Sequence, residues 1–232
     1  MQSIRTQSVA SLFNLFFCLV ARGESNQSLQ ATPISNDRVP GVVINHSPKS
    51  SGLYIGSPSI AVLTNGNYVA SHDFFGPKSG EHERARSLVF RTADRGQSWE
   101  KVSEIQGAFW SSLFVHQGAL YLLGPDRHHG NVLIRRSVDA GETWTSPTNR
   151  HTGLMRDDGE YHCAPMPIIE HNGRLWRGME RRQPPEGWGI NYRAGVFSVP
   201  VDADLLEAAN WTHSEFLPSD RSWNGGDMGA WL

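Results

Sequence analysis

The sequence predicts an all-β chain made of repeated four-stranded antiparallel units, the blades of a β-propeller. Three observations carry this. The 232 residues include 23 Gly, 13 Pro and 8 Trp with few long helix-forming stretches, a composition of short strands joined by turns. The pattern Ser/Thr-x-Asp-x-Gly-x-x-Trp occurs twice, from Thr92 to Trp99 and from Ser137 to Trp144, and the copies begin 45 residues apart. The turn pairs Asn65-Gly66, Gln117-Gly118 and Asn172-Gly173 recur with their glycines 52 and 55 positions apart, in step with the motif.

The first element to separate is the N-terminus. Arg5 precedes the apolar run Val9 to Ala21, and Ala21-Arg22-Gly23 offers small residues for cleavage. About 13 apolar residues are too few to span a bilayer, so residues 1 to 23 read as a secretory signal and the chain as secreted or periplasmic. Removing Arg5 and Arg22 leaves 19 basic against 23 acidic residues, a balance of −4. That balance offers no electrostatic footprint for nucleic acid or, after signal cleavage, for a membrane. Cys18 leaves with the signal, so Cys163 stays unpaired and stability rests on sheet and core packing.

Residues 24–50 form a lead-in segment, and the repeats occupy 51–232. The first unit, about 51–105, has strands at 59–63, 68–71, 87–91 and 99–105. The second, about 106–150, has them at 112–116, 120–123, 132–136 and from 144 onward. The third, about 151–217, has them at 164–169, 174–179, 195–199 and 211–216, and 218–232 opens a fourth. Four strands per ~45-residue repeat is a propeller blade.

The motif has a local task. In Thr92, Asp94, Gly96 and Trp99, and again in Ser137, Asp139, Gly141 and Trp144, hydroxyl and carboxylate oxygens accept from turn N–H groups while Gly supplies a positive φ. The Trp starts the outer strand and packs in the seam between repeats. The alternating acids of a calcium loop are absent. A third copy is degenerate, reduced to Ser198, Asp202 and Trp211.

These residues resemble the Asp-box (BNR) repeat of the sialidase superfamily, whose fold is a six-bladed β-propeller. The resemblance covers about residues 50 to 232 and implies a secreted sialidase-like glycoside hydrolase, of which three blades and the entry to a fourth are present. It further implies a truncated and inactive fragment. The same repeat also occurs in non-enzymatic propellers, so a module binding glycan or protein is the alternative.

In an up-and-down blade the glycine turns and the Asp motifs share one end, and the loops 72–86, 124–131, 145–163 and 180–193 share the other. Most of the histidines fall in those loops. The resemblance places an acid/base carboxylate in the first loop, which here means Asp73 or Glu81. It also implies an Arg-Ile-Pro motif whose arginine grips a substrate carboxylate. Here Gly56-Ser57-Pro58 keeps only the proline, which predicts weak recognition of sialosides. Arg127, His128, Asp158, His162, Glu180 and Arg181, with Trp188 and Tyr192, are the residue types that suit a sugar: paired donors and acceptors for hydroxyls, flat rings for its apolar face. His128 next to His129 is not the helical two-His spacing of zinc enzymes, so no metal is expected, and no cofactor-binding motif is present.

Overall fold

The computed structural model describes residues 40–183 and 191–218. The expected signal segment, Trp188 and the entry to a fourth unit lie outside the described residues. The described chain is all β with antiparallel sheets. Among the described residues no helix is long and apolar enough to cross a membrane.

The first sheet is a meander of β1 (Tyr54–Val62), β2 (Tyr68–Phe75), β3 (Arg86–Arg91) and β4 (Glu100–Gln106), each paired with the next. β1 starts five residues earlier than the sequence suggests, because a bulge between Gly56 and Ser59 lets Pro58 sit in the strand without breaking its pairing to β2. β2 likewise runs on through Phe75, so His72 and Asp73 are strand residues and not loop residues.

The second sheet contains β5 (Ser112–His116), β6 (Ala119–Pro125), β7 (Gly130–Ser137), β8 (Leu154–His162), β10 (Arg174–Arg182), β11 (Tyr192–Pro200) and β12 (Thr212–His213), with β9 (Ile169–His171) and β13 (Leu217–Pro218) as side pieces. Three separate four-stranded blades are thus not what forms. The second unit's last strand does not begin at Trp144. It is β8, in a segment expected to be loop, and it joins the second and third units into one hydrogen-bonded ladder. On one edge Arg156 and Tyr161 pair with Val132 and Gly130 of β7. On the other edge residues 160–162 pair with Arg182, Arg181 and Glu180 of β10. β9 occupies the remainder of that β10 edge, so the third unit's first strand is made of two pieces instead of the expected continuous strand at 164–169. Its outer strand is divided in the same way between β12 and β13.

Turn chemistry explains the hairpins. Gln117 and Gly118 both have positive φ, as do Asn172 and Gly173, the requirement of a two-residue type I′ turn. The Asn65-Gly66 connection is longer, closed by Leu63 N–H donating to Asn67 O at 2.8 Å.

One core cluster joins the sheets. Ala61, Val69, Val89 and Ile105 of the first pack against Leu113, Leu120 and Leu122 of the second. The larger cluster lies within the second sheet and includes Tyr121, Ile134, Tyr161, Met179 and Phe197. Phe74, Leu88 and Phe90 cover the opposite face of the first sheet with Leu53 and Trp99.

The two motif turns match atom for atom. Thr92 Oγ1 donates to Asp94 Oδ1 and accepts from Gly96 N, while Asp94 Oδ1 accepts from Ser98 N. Ser137, Asp139, Gly141 and Thr143 repeat each contact. The seventh position of each copy is therefore a fixed hydroxyl, Ser98 or Thr143, which also donates to the Asp. The tryptophans differ. Trp144 Nε1 donates to Gly141 O and to Ser103 Oγ on β4, both at 3.1 Å, and so spans the seam between sheets. Trp99 packs on Phe74, Leu88 and Phe90 of its own sheet, a correction to the seam position expected for it. In the degenerate third copy Ser198 lies on β11 and accepts from Arg174 Nε, and Trp211 donates to Leu205 O, so no such turn forms.

Candidate functional site

The loops after β2 and β6 and the ends of β8 and β10 meet at one end of the strands, as the topology predicts. The backbone N–H of His128 donates to Glu81 O at 2.7 Å, which clips the β6–β7 loop to the β2–β3 loop. From there a row of rings extends. His82 stacks on His128 with centroids 4.8 Å apart, His129 lies 4.2 Å beyond, and Trp110 sits 4.2 Å from His162. His129 Nε2 is hydrogen-bonded to the Tyr192 hydroxyl, and its Nδ1 lies 3.0 Å from Arg182 Nη1.

Three histidines of this row are strongly placed by charge and burial. Burial first, then the neighbouring His128 and Arg182, pushes the His129 imidazole down to about 3. Burial and the nearby His162 also lower His128. Both rings are therefore neutral at pH 7. His162 is anchored by Glu180, whose Oε2 lies 2.7 Å from His162 Nδ1. Glu180 is 42% exposed, the open carboxylate of the row.

The other expected residues are placed differently. Asp73 is buried, 2% exposed. Its carboxylate accepts from Ser87 Oγ and from the backbone N–H of Trp110, and Ser57 also hydrogen-bonds to it. Burial outweighs these donors and raises Asp73 to about 7. The Ser87 hydroxyl has one proton but faces two acceptors, Asp73 Oδ1 and Ala108 O, and a proton on Asp73 satisfies both. Glu81 is held by Gly76 N at 2.8 Å and Ser79 Oγ at 3.1 Å, both on Oε2. Asp158 accepts from Arg156 through both oxygens and from Tyr161, and Arg156 keeps it well below the usual carboxylate range. Arg181 donates to Asp158 O and lies over the Tyr161 ring. Arg127 turns to its neighbour Asp126 at 3.3 Å. Asp73, Glu81, Asp158, Arg127 and Arg181 are each thus engaged by partners within the protein. His128, His162 and Glu180 share the row, Glu81 borders it, and Arg127 and Asp158 pair locally.

Sequence reasoning passed over Trp110, which has a positive φ of 48° and whose backbone N–H is the one fixed by Asp73. No sequence signal marks it, because its partner comes from another sheet. At position 56 a side chain would meet Phe75 Cε1 at 2.7 Å, and Ser57 at positive φ is turned to Asp73. An arginine at 56 would require the Phe75 ring to move. A concavity among the described residues lies elsewhere, between Arg156, Phe197, Trp211 and His213, and its roughly 50 Å³ is far below the several hundred a sugar-sized ligand needs. The partly buried row of rings, with the exposed carboxylate of Glu180 beside it, is the better candidate.

No family model and no curated protein matches the chain. Among solved structures it is similar to an alpha-L-arabinanase of Penicillium chrysogenum complexed with arabinobiose, at 17% identity and TM-score 0.45, over 68% of this chain and 48% of that one. It is also similar to the alpha-L-arabinofuranosidase from Lactobacillus brevis, at 17% identity and TM-score 0.48, over 73% and 57%. A third is Trypanosoma rangeli sialidase, at 16% identity and TM-score 0.42, over 59% and 22%. The structural neighbours are thus sialidase, arabinanase and arabinofuranosidase enzymes. The chain spans about half the length of the first two and about a fifth of the third.

Proposed function

We propose that the chain carries the glycan-recognising end of an exported, sialidase-like glycoside hydrolase with Asp-box repeats and a β-propeller fold. The observation behind this reading is the row at the strand ends, where Trp110, His128, His129, His162 and Tyr192 lie side by side with the half-exposed carboxylate of Glu180. A sugar ring has an apolar face that stacks on flat side chains and hydroxyls that need paired donors and acceptors. Both ring nitrogens of His129 and Nδ1 of His162 are engaged within the protein and those of His128 are enclosed, so Glu180 is the group of the row that offers a polar contact. In this reading Glu180, backed by His162, presents its second oxygen to a sugar hydroxyl or to the glycosidic oxygen. Asp73 and Glu81 support the row from beneath.

The lack of an arginine at position 56 or 57 favours neutral glycosides over sialosides, since a charge-assisted pair to a carboxylate contributes roughly 1.5 to 3 kcal/mol. The test is a binding and turnover panel of sialosides, arabinosides and neutral hexosides, run on the full chain and its Glu180→Gln variant. Binding of a neutral glycoside that weakens in Glu180→Gln supports the reading. Tight sialoside binding indifferent to Glu180 sinks it. A specific observation favours the non-catalytic alternative: Asp73, Glu81 and Asp158 all spend carboxylate oxygens on internal donors. Binding without turnover would select that alternative.

A further inference from the structure

We propose that Glu81, His82 and His128 form a binding site for a zinc-class divalent transition-metal ion at the junction of the β2–β3 and β6–β7 loops. The site shares His128 with the row of rings and Glu81 with its border, but it uses no glycan contact, and metal binding is read separately from glycoside binding. Glu81 Oε1 lies 3.3 Å from His82 Nε2 and 3.5 Å from His128 Nδ1. With metal–nitrogen and metal–oxygen bonds of about 2.0 to 2.1 Å, ligand atoms at the corners of a tetrahedron stand about 3.3 to 3.4 Å apart. Two of the three ligand edges are therefore already set. All three ligand atoms lie within 4.8 Å of one another. The remaining edge closes by rotation of His82, whose side chain is 67% exposed.

The surroundings are those of a supported ligand set. Glu81 gives its Oε2 to Gly76 N and Ser79 Oγ, which aims Oε1 at the two imidazoles. The His128 backbone is clipped to Glu81 O, so the two loops hold a fixed separation. A second observation points to a missing ligand. Both ring nitrogens of His128 are buried without a hydrogen-bond partner, and a metal bond at Nδ1, the nitrogen facing Glu81, would satisfy one of them. Two nitrogens and one oxygen suit zinc and its neighbours and disfavour magnesium or calcium, which require oxygen sets. The sequence hid this set because His82 and His128 lie 46 positions apart and on different loops.

The experiment uses the full chain, stripped with a chelator and dialysed. Zinc is titrated calorimetrically, and cobalt(II) is added as a visible-absorption probe of coordination geometry. The expected result is one zinc per chain, a tetrahedral cobalt spectrum and no magnesium binding. His82→Ala and Glu81→Gln are expected to weaken zinc binding by at least ~10-fold, while His171→Ala, an exposed histidine on β9, leaves it unchanged. Circular dichroism checks that each variant is folded, and His82 is chosen because its exposed ring carries no core packing. Failure of the folded chain to bind zinc stoichiometrically overturns the proposal. So does binding that survives Glu81→Gln and His82→Ala, or that falls equally in His171→Ala.

Discussion

The carboxylate of Asp73 and the backbone N–H of Trp110 are joined by a buried hydrogen bond across 37 residues of sequence. The bond holds Trp110 in a left-handed conformation, a backbone region that costs a non-glycine residue of order 1 kcal/mol. It thereby sets the indole 4.2 Å from His162. Asp73 acts on the site through Trp110.

Asp73 and His129 give opposite pH dependences. An aspartate raised from 3.8 to about 7 by folding binds its proton more tightly in the native state, so its contribution is full below about pH 4 and is lost as pH rises to 7. The slope is about 1.4 kcal/mol per pH unit within that window. His129, lowered to about 3, makes the native state more stable as pH rises from 3 to 6.5. Between pH 4 and 6.5 the two oppose each other. Urea melts across that range should show Asp73→Asn gaining a rising slope and His129→Asn, which tolerates the positive φ at that position, gaining a falling one. Identical profiles for all three proteins would refute both assignments.

The two motif tryptophans should not be equivalent. Trp144→Ala removes packing and a hydrogen bond between sheets and is expected to cost ~3 kcal/mol or more. Trp99→Ala removes packing within one sheet and should cost at least ~1 kcal/mol less, as read from denaturant midpoints. Equal losses would contradict the seam role of Trp144.

The hydroxyl at the seventh motif position should matter as much as the one at the first. Thr143→Val deletes a donor to Asp139, and a loss of about 1 kcal/mol is expected from the same melts. Asp139, held down to about 2 chiefly by Thr143, should titrate closer to its ordinary value in that variant, observable by NMR.

Cys163 should be inert in the native state. It is 2% exposed, and burial pushes its thiol up to about 11. Labelling by a thiol reagent is expected to appear only as the chain unfolds in urea. Rapid labelling without denaturant would show that the β8–β10 junction opens locally.

What the sequence reveals here is what local chemistry dictates. The motif turns and the Gln117-Gly118 and Asn172-Gly173 hairpins are fixed by residues within a few positions of each other, and each forms at its expected place. β8 escapes because Arg156-Asp157-Asp158-Gly159-Glu160 reads as a polar loop. It becomes a strand because β7 and β10, distant in sequence, offer backbone partners on both edges. Part of its charge is neutralised by the Arg156–Asp158 pair and by Glu160 with Arg182. The site follows the same division. His162 and Glu180 are picked out by residue type, but the pairing of Glu81 with His128 and the burial of Asp73 depend on how separate units pack.

The shared strand β8 also bears on how the chain comes apart. In arrays whose repeats touch only through side chains, one unit can fray while its neighbour persists. Here the backbone ladder runs unbroken from β5 through β8 to β12. Peeling either unit away therefore strips hydrogen bonds from the same strand, β8, whose Tyr161 is paired on both edges. The second and third units should exchange their amide protons as one cooperative block, with β1 to β4 free to open on a different timescale.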